Sequence, residues 1–155
     1  MKNITYSNEL SVEDYCILRK SVGWADVSPT IVSQALNKSD YIISASVGSV
    51  KVGMARVMSD GTQALVMDVI VHPDYQGNGI GNFMMNGIME YLHNSLHDGQ
   101  HLLVNLNSTK GRESFYIQYG FEIRPSENFG TGMAQWVSEN ELHNQKSKKH
   151  PPRDF

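Results

Sequence analysis

Six residues, Gln76 to Gly81, have the composition of a loop that binds phosphate. They read Gln-Gly-Asn-Gly-Ile-Gly, so three glycines alternate along the segment. An apolar, β-branched run precedes it at residues 64–71, and an apolar pattern at helical spacing follows it. A strand, a glycine turn and a helix N-terminus in this order present free backbone N–H groups and the positive end of a helix dipole. The segment therefore predicts a site for a phosphate-bearing ligand, and its alternative is a tight turn alone.

Other phosphate-binding loops fit the chain poorly. It contains no Gly-x-x-x-x-Gly-Lys-Ser/Thr sequence. The Gly77-Asn78-Gly79 triplet lacks the third glycine of a dinucleotide fingerprint, because position 82 is Asn82.

Composition bounds the class of protein. A chain of 155 residues with 40% hydrophobic residues and a net charge of −3 is typical of one globular domain, and it gives no reason to expect a nucleic-acid partner. Cys16 is the single cysteine, so no disulfide framework or thiolate metal cluster is expected. The first residues lack a signal-peptide apolar region, and no apolar run approaches a membrane span of roughly 18 residues. We therefore expect a cytoplasmic protein without a membrane partner.

Periodicity predicts the elements that position the loop. Strands are expected from Lys2, at 40–47, 50–58 and 63–71, at 101–106, at Gly120-Phe121 and at 133–137. Helices are expected from Leu10 to about Val22, from Pro29 behind an N-capping Ser28, from 79 to about 96, and at 110–119. The order indicates an antiparallel meander followed by a β-α-β unit. We predict one domain over residues 1–138 and a polar, disordered tail at 139–155.

Two segments together resemble a known family. The run from Asp68 to Gly81 is similar to the acetyl-CoA motif of the GCN5-related N-acetyltransferase (GNAT) superfamily, Gln/Arg-x-x-Gly-x-Gly/Ala, which Gln76, Gly79 and Gly81 satisfy. The segment from Phe115 to Phe121 is similar to the family's Phe-Tyr-x-x-x-Gly-Phe. The resemblance implies an α/β fold with a mixed, mostly antiparallel central sheet flanked by helices and a central β-α-β acetyl-CoA-binding unit.

The resemblance also implies acetyl-CoA as co-substrate and no metal. In the family, the glycine loop holds the pyrophosphate and the end of the preceding strand pairs with the pantetheine arm. An asparagine that contacts CoA often lies seven residues before the family tyrosine; here Thr109 has that position and Asn107 lies two residues away. The implied cofactor-binding residues are Val69, Ile70, Val71, Gln76, Gly77, Asn78, Gly79, Ile80, Gly81, and Asn107 or Thr109.

Tyr116 matches the family tyrosine near the CoA sulfur. A phenol has a reference pKa of about 10 and a thiol of about 8.5, so a tyrosine can protonate a departing thiolate. The alternative is a buried aromatic whose hydroxyl bonds to the backbone.

Asp68 is the one carboxylate in the apolar strand at 64–71. Beside the implied thioester it is a candidate base or acceptor-site anchor; the alternative is a structural carboxylate paired with Arg56 or with backbone. Many family members carry Glu or His slightly earlier in this strand, where this chain has Leu65 and Met67. Neither can accept a proton, so the base is open.

The resemblance places acceptor recognition on the first two helices and their loop, where Trp24 is the candidate wall of the site and its alternative is a core-capping tryptophan. It implies an N-acetyltransferase that acetylates a primary amine of a small molecule or peptide by direct attack in a ternary complex, and a homodimer is common in the family. The alternative function is a non-catalytic acyl-CoA sensor. The negative net charge slightly favours a cationic acceptor.

Overall fold

The computed structural model describes residues 3–137. The chain divides between Asn107 and Ser108 into two compact units. The predicted single domain over residues 1–138 stays a prediction, and the tail predicted at 139–155 lies outside the described residues. Among the described residues, no helix has both the length and the apolar character needed to cross a membrane.

The first unit contains one five-stranded sheet in which neighbours in sequence are neighbours in space. The first four strands pair antiparallel, and the last two pair parallel. The predicted meander and β-α-β unit are confirmed. The strands are β1 (Ile4–Ser7), β2 (Tyr41–Val47), β3 (Val50–Ser59), β4 (Gln63–Val71) and β5 (Leu103–Leu106).

Three helices pack on this sheet: α1 (Val12–Ser21), α2 (Pro29–Asn37) and α3 (Ile80–Asn94). Met54 of β3 packs in a core cluster with residues of α1 and α2, whereas a Cβ on the preceding Gly53 would lie 3.1 Å from Ile80 of α3. Successive residues of a strand point to opposite faces. Helices α1 and α2 therefore cover one face of the sheet, and α3 covers the other.

Local capping explains where two helices begin. The Ser28 hydroxyl accepts a hydrogen bond from the Ile31 N–H at 3.4 Å, with Pro29 at the first helical position, as the sequence predicts. The Ser11 hydroxyl accepts from the Asp14 N–H at 3.0 Å and starts α1 in the same way.

Helix α3 buries most of the predicted apolar stripe. Ile80, Met84, Ile88 and Leu92 are buried. Phe83 follows the same helical spacing, but it is half-exposed and stacks on Tyr6 of β1, with ring centroids 3.7 Å apart. The predicted helical spacing of the apolar residues in α3 is therefore correct, and Phe83 lies at the edge of the buried face.

The second unit contains helix α4 (Glu113–Ile117), which is shorter than the predicted 110–119. The strands predicted at Gly120-Phe121 and at 133–137 are wrong for the described residues, which form no strand there. The reason is local: Pro125 has no N–H to donate to a ladder, and glycines at 130 and 132 weaken extended pairing. The intervening chain turns back on itself, and the Ser126 N–H donates to the Phe129 carbonyl at 2.8 Å.

Candidate functional site

The glycine loop joins β4 to α3 through a short 3-10 helix at Pro73–Tyr75. Gly77 and Gly79 both have φ of +76°, a left-handed conformation that glycine adopts without steric cost. Gly79 is the N-cap of α3, and it supplies no side-chain acceptor to the first turn of the helix. The Gln76 side chain donates to the Val71 carbonyl at 3.0 Å and ties the loop to the end of β4.

The backbone donors of this loop remain available to a ligand. Within residues 3–137, the N–H of Gln76 donates to the Pro73 carbonyl, and those of Gly77, Asn78 and Gly79 make no hydrogen bond. The first N–H groups of α3 have no acceptor inside the helix. A Cβ built on Gly77 or Gly79 would meet nothing within 4 Å, so the space in front of the loop is open. Free N–H groups, open space and a helix N-terminus fit a pyrophosphate.

The neighbouring edge of β4 is also free in the first unit. Strand β5 pairs with β4 only from Gln63 to Val66, so residues 67–71 have no strand partner on that edge within residues 3–107. On the other edge, Ile70 and Val71 pair with β3. A free row of backbone groups ending at the glycine loop is what the pantetheine arm requires, as the resemblance implies for Val69, Ile70 and Val71.

Asp68 lies at an irregularity in β4. The register between β3 and β4 shifts between Met54 and Arg56, and Asp68 has φ of +52°. Asparagine and aspartate tolerate this region better than other non-glycine residues. At this irregularity the Asp68 side chain meets Tyr15 and Arg19 of α1 and Arg56 of β3.

These partners form a cluster, named here the Asp68 cluster: Tyr15, Arg19, Arg56 and Asp68. The Tyr15 hydroxyl donates to Asp68 Oδ2 at 2.8 Å, and Arg19 Nη1 lies 3.3 Å from Asp68 Oδ1. Arg56 Nε donates to Asp68 Oδ2 at 2.5 Å. Side chains of all three ionic residues are about nine-tenths buried. Burial and the negative charge of Asp68 raise the pKa of Tyr15, so its phenol stays a hydrogen-bond donor.

Arg19 connects the cluster to Trp24. Its guanidinium carbon lies 5.1 Å from the centroid of the Trp24 ring and 5.7 Å from that of Tyr15. Its Nη2 donates to the Ala25 carbonyl at 3.3 Å, in the loop after α1. Two predicted site residues far apart in sequence, Trp24 and Asp68, are thus brought together by an arginine between them.

Sequence reasoning missed Tyr15 and Arg19 as site residues. Both were detectable in principle, because they lie four positions apart on the face of α1 that Leu18 buries. A charged residue in phase with a buried leucine is a sign of a buried partner. The pairing of Asp68 with Arg56, considered from the sequence as an alternative, is present. The role of Asp68 as a base stays a prediction.

Tyr116 lies on α4 of the second unit. Its ring contacts Phe115 edge-on at 5.0 Å between centroids and Phe121 at 6.3 Å. Burial raises its pKa above the ordinary value of 10.0. Within residues 3–137 its hydroxyl makes no hydrogen bond, so the backbone tie considered as an alternative is not seen there. The phenol is therefore a protonated donor without a partner among the described residues.

The remaining predicted contacts fall on either side of the unit boundary. Asn107 ends the first unit and is exposed. Thr109 begins the turn into α4, and its carbonyl accepts from the Arg112 N–H at 2.9 Å. In the described part of the chain, no three His, Cys, Asp or Glu side chains are grouped as a metal ion would require.

Comparisons with known proteins agree on one family. A family model described as an acetyltransferase (GNAT) domain matches residues 38–123. The uncharacterized N-acetyltransferase ycf52 of Porphyra purpurea is 32% identical over 128 residues, which cover 78% of this chain and 71% of that protein. Its counterpart in Pyropia yezoensis is 34% identical over 125 residues, which cover 77% and 66%. The solved structure of a GNAT-family acetyltransferase from Streptococcus pneumoniae is 31% identical, with a TM-score of 0.68, and the match covers 90% of this chain and 99% of that one.

Proposed function

This chain belongs to the acetyltransferase (GNAT) family, and from that premise we propose that it transfers the acetyl group of acetyl-CoA to a primary amine in a ternary complex. The observation that supports this most directly is the glycine loop, whose free N–H groups adjoin the free edge of β4. The amine belongs to a small molecule or a peptide. The cytoplasmic location and the homodimer stay predictions.

The described residues would hold acetyl-CoA along the end of β4 and the glycine loop that follows it. The loop from Gln76 to Gly81 binds the pyrophosphate through backbone N–H groups, and Val69 to Val71 bind the pantetheine arm through the backbone edge. When bound, acetyl-CoA supplies a thioester whose carbonyl carbon an amine attacks, so that a C–N bond forms and the C–S bond breaks. What this chain adds is a proton for the sulfur and a place for the acceptor beside β4.

Tyr116 is assigned as the proton donor from the motif match. Because burial raises its pKa above 10.0, the phenol holds its proton through the neutral range. It passes that proton to the departing sulfur, the attacking nitrogen releases one to solvent, and the tyrosinate takes one back from solvent, so protons and charges balance.

Arg19 and Arg56 share Asp68, which leaves one positive charge in excess beside β4. In this proposal, the Asp68 cluster acts on the acceptor as a unit, with Asp68 as the residue that anchors both arginines.

Replacing Tyr116 by phenylalanine should lower kcat about 100-fold, the lower end of the usual contribution of a general acid, with little change in the KM for acetyl-CoA. Thiol release, measured with a chromogenic disulfide, reports the rate. Tyr119→Phe is the matched control, since Tyr119 contacts the same Phe115 ring three residues further on. Below pH 10 we expect no loss of wild-type rate from ionisation of Tyr116.

The alternative function, a non-catalytic acyl-CoA sensor, predicts a different pattern. The apolar Leu65 and Met67 in β4 favour it, because they leave the strand without a second titratable group. In that case CoA protects the protein against thermal unfolding, but no polyamine, arylalkylamine, aminoglycoside or N-terminal peptide is acetylated, and Tyr116→Phe leaves CoA protection unchanged. Turnover of any of these amines excludes the sensor.

A further inference from the structure

The Asp68 cluster contains more positive than negative charge in a nearly closed part of the protein. Arg19 is 8% exposed and Arg56 is 9% exposed. Within residues 3–137, Asp68 is the one carboxylate in an ion pair with either of them. Two buried guanidinium groups that share a single carboxylate leave one positive charge uncompensated. A buried charge of this kind is costly unless a counter-charge reaches it.

The two arginines of the cluster also have N–H groups that make no hydrogen bond within the described residues. Arg19 uses Nη1 on Asp68 and Nη2 on the Ala25 carbonyl, and its buried Nε has no hydrogen-bond partner. Arg56 uses Nε on Asp68 and Nη1 on the Ser39 hydroxyl at 3.3 Å, and its Nη2 makes no hydrogen bond within the described residues. Buried polar groups are nearly always bonded. Arg19 Nε is fully enclosed by protein, so the unpartnered donor that an outside acceptor atom can reach is Arg56 Nη2.

The cluster lies next to the part of β4 that should hold the thioester. Asp68 directly precedes Val69 to Val71, the segment with the free edge. Trp24 lies over Arg19 and contributes an aromatic surface beside the leftover donors. A ligand group bound here would therefore belong to the acceptor rather than to the distal phosphates of CoA, which the glycine loop holds.

We propose that the Asp68 cluster binds an anionic group of the acceptor, so that the substrate carries a carboxylate or phosphate in addition to its amine. This rests on the proposed function for the identity of the acceptor, but not for the existence of the anion site. Planar guanidinium groups bind carboxylate and phosphate oxygens through paired, charge-assisted hydrogen bonds. The anion completes the charge balance of the two arginines and accepts from Arg56 Nη2.

The anion site can be tested without turnover. The full chain is titrated with acetate and separately with phosphate, against chloride at equal ionic strength, while the Nε–H resonances of Arg19 and Arg56 are followed by NMR. We expect a saturable shift of the Arg19 signal with at least one of the two anions and none with chloride. No saturable shift with either anion, or an equal one with chloride, would overturn the proposal.

Two charge-removing variants locate the site. Arg56→Gln and Lys51→Gln each remove one positive charge from β3, but Lys51 donates to Ser7 and Ser44 and lies outside the cluster. The anion-dependent shift of Arg19 should be lost in Arg56→Gln and retained in Lys51→Gln. Equal loss in both would mean a general charge effect and contradict the proposal. If Arg56→Gln does not fold, the wild-type titration still decides.

Paired acceptors then separate the anion site from the enzyme function. Lysine is compared with cadaverine, and O-phosphoethanolamine with ethanolamine, so that the two pairs distinguish a carboxylate from a phosphate. We expect kcat/KM about tenfold higher for the anionic member of the pair that is acetylated, the scale of one charged hydrogen bond. Faster acetylation of the members that lack the carboxylate or phosphate would refute the proposal. Anion-dependent shifts without acetylation would instead refute the proposed function and leave the anion site standing.

Discussion

Replacing Asp68 by alanine should lower the free energy of unfolding by about 3–5 kcal/mol, the usual cost of removing one partner from a buried ion pair. The carboxylate accepts from Tyr15, Arg19 and Arg56 at once, and it is about nine-tenths buried. Its loss leaves two like charges close together in a poorly solvated place, with their donors unsatisfied. Alanine also tolerates the φ of +52° at this position less well than aspartate does.

Urea unfolding followed by circular dichroism measures this loss. Asp74→Ala is the control, because that carboxylate is 82% exposed and lies 3.9 Å from its His72 partner, so its removal should cost about 0–1 kcal/mol. Asp68→Asn should lose less than Asp68→Ala, since the amide oxygen still accepts and asparagine tolerates positive φ. If both Asp68 variants keep their stability and lose kcat instead, Asp68 acts in proton transfer and is not mainly an anchor.

Replacing Gly79 by valine should weaken CoA binding at least about 100-fold, as expected when two or more charge-assisted hydrogen bonds are lost. Gly79 has φ of +76°, which a β-branched residue adopts only with strain of about 1–3 kcal/mol. The first turn of α3 would have to rotate its N–H groups away from the ligand. The new side chain would enter open space, with no protein atom within 4 Å of its Cβ, in the place that we propose for the phosphate.

Gly61→Val is the control that separates an effect on the glycine loop from the general effect of backbone strain. Gly61 has φ of +87° and equally open space around its Cβ, but it lies in the turn at the other end of β4. Both variants should lose similar stability in thermal unfolding, and only Gly79→Val should lose CoA affinity in calorimetric titration. Normal CoA affinity in folded Gly79→Val would show that the phosphate binds elsewhere.

Local sequence was sufficient to predict most of the first unit. The strand at Gln63–Val71 follows from a β-branched run closed by glycine and proline, and α2 follows from Ser28 and Pro29. Each of these features depends on neighbours within one turn or one strand. The second unit was harder, because an apolar spacing such as that at 133–137 predicts a strand only where a partner can pair with it, and Pro125 and the glycines at 130 and 132 disfavour pairing nearby.

Dependence on residues distant in sequence also limited what could be predicted about the candidate site. Asp68 was recognised from its type and position in β4, but its irregular backbone and the partners from α1 were not, because Tyr15 and Arg19 lie about fifty residues earlier in the chain. The helical spacing of Arg19 with Leu18 could have marked Arg19 as buried, but it contains no information about which residue Arg19 pairs with. Only packing of α1 on the sheet makes it a buried cation.

The sequence by itself therefore determined the glycine loop, on which the proposed acetyl-CoA contacts rest. The loop is a local structure, because Gly77 and Gly79 lie directly before α3 and Gly81 lies in its first turn. The tertiary structure decided the charge beside β4, on which the proposed acceptor contacts rest. The net charge of −3 suggested a cationic acceptor, yet folding concentrates Arg19 and Arg56 around one carboxylate and reverses the sign at that place. Net charge averages over the surface, whereas recognition depends on the few buried charges that the fold brings within hydrogen-bond distance.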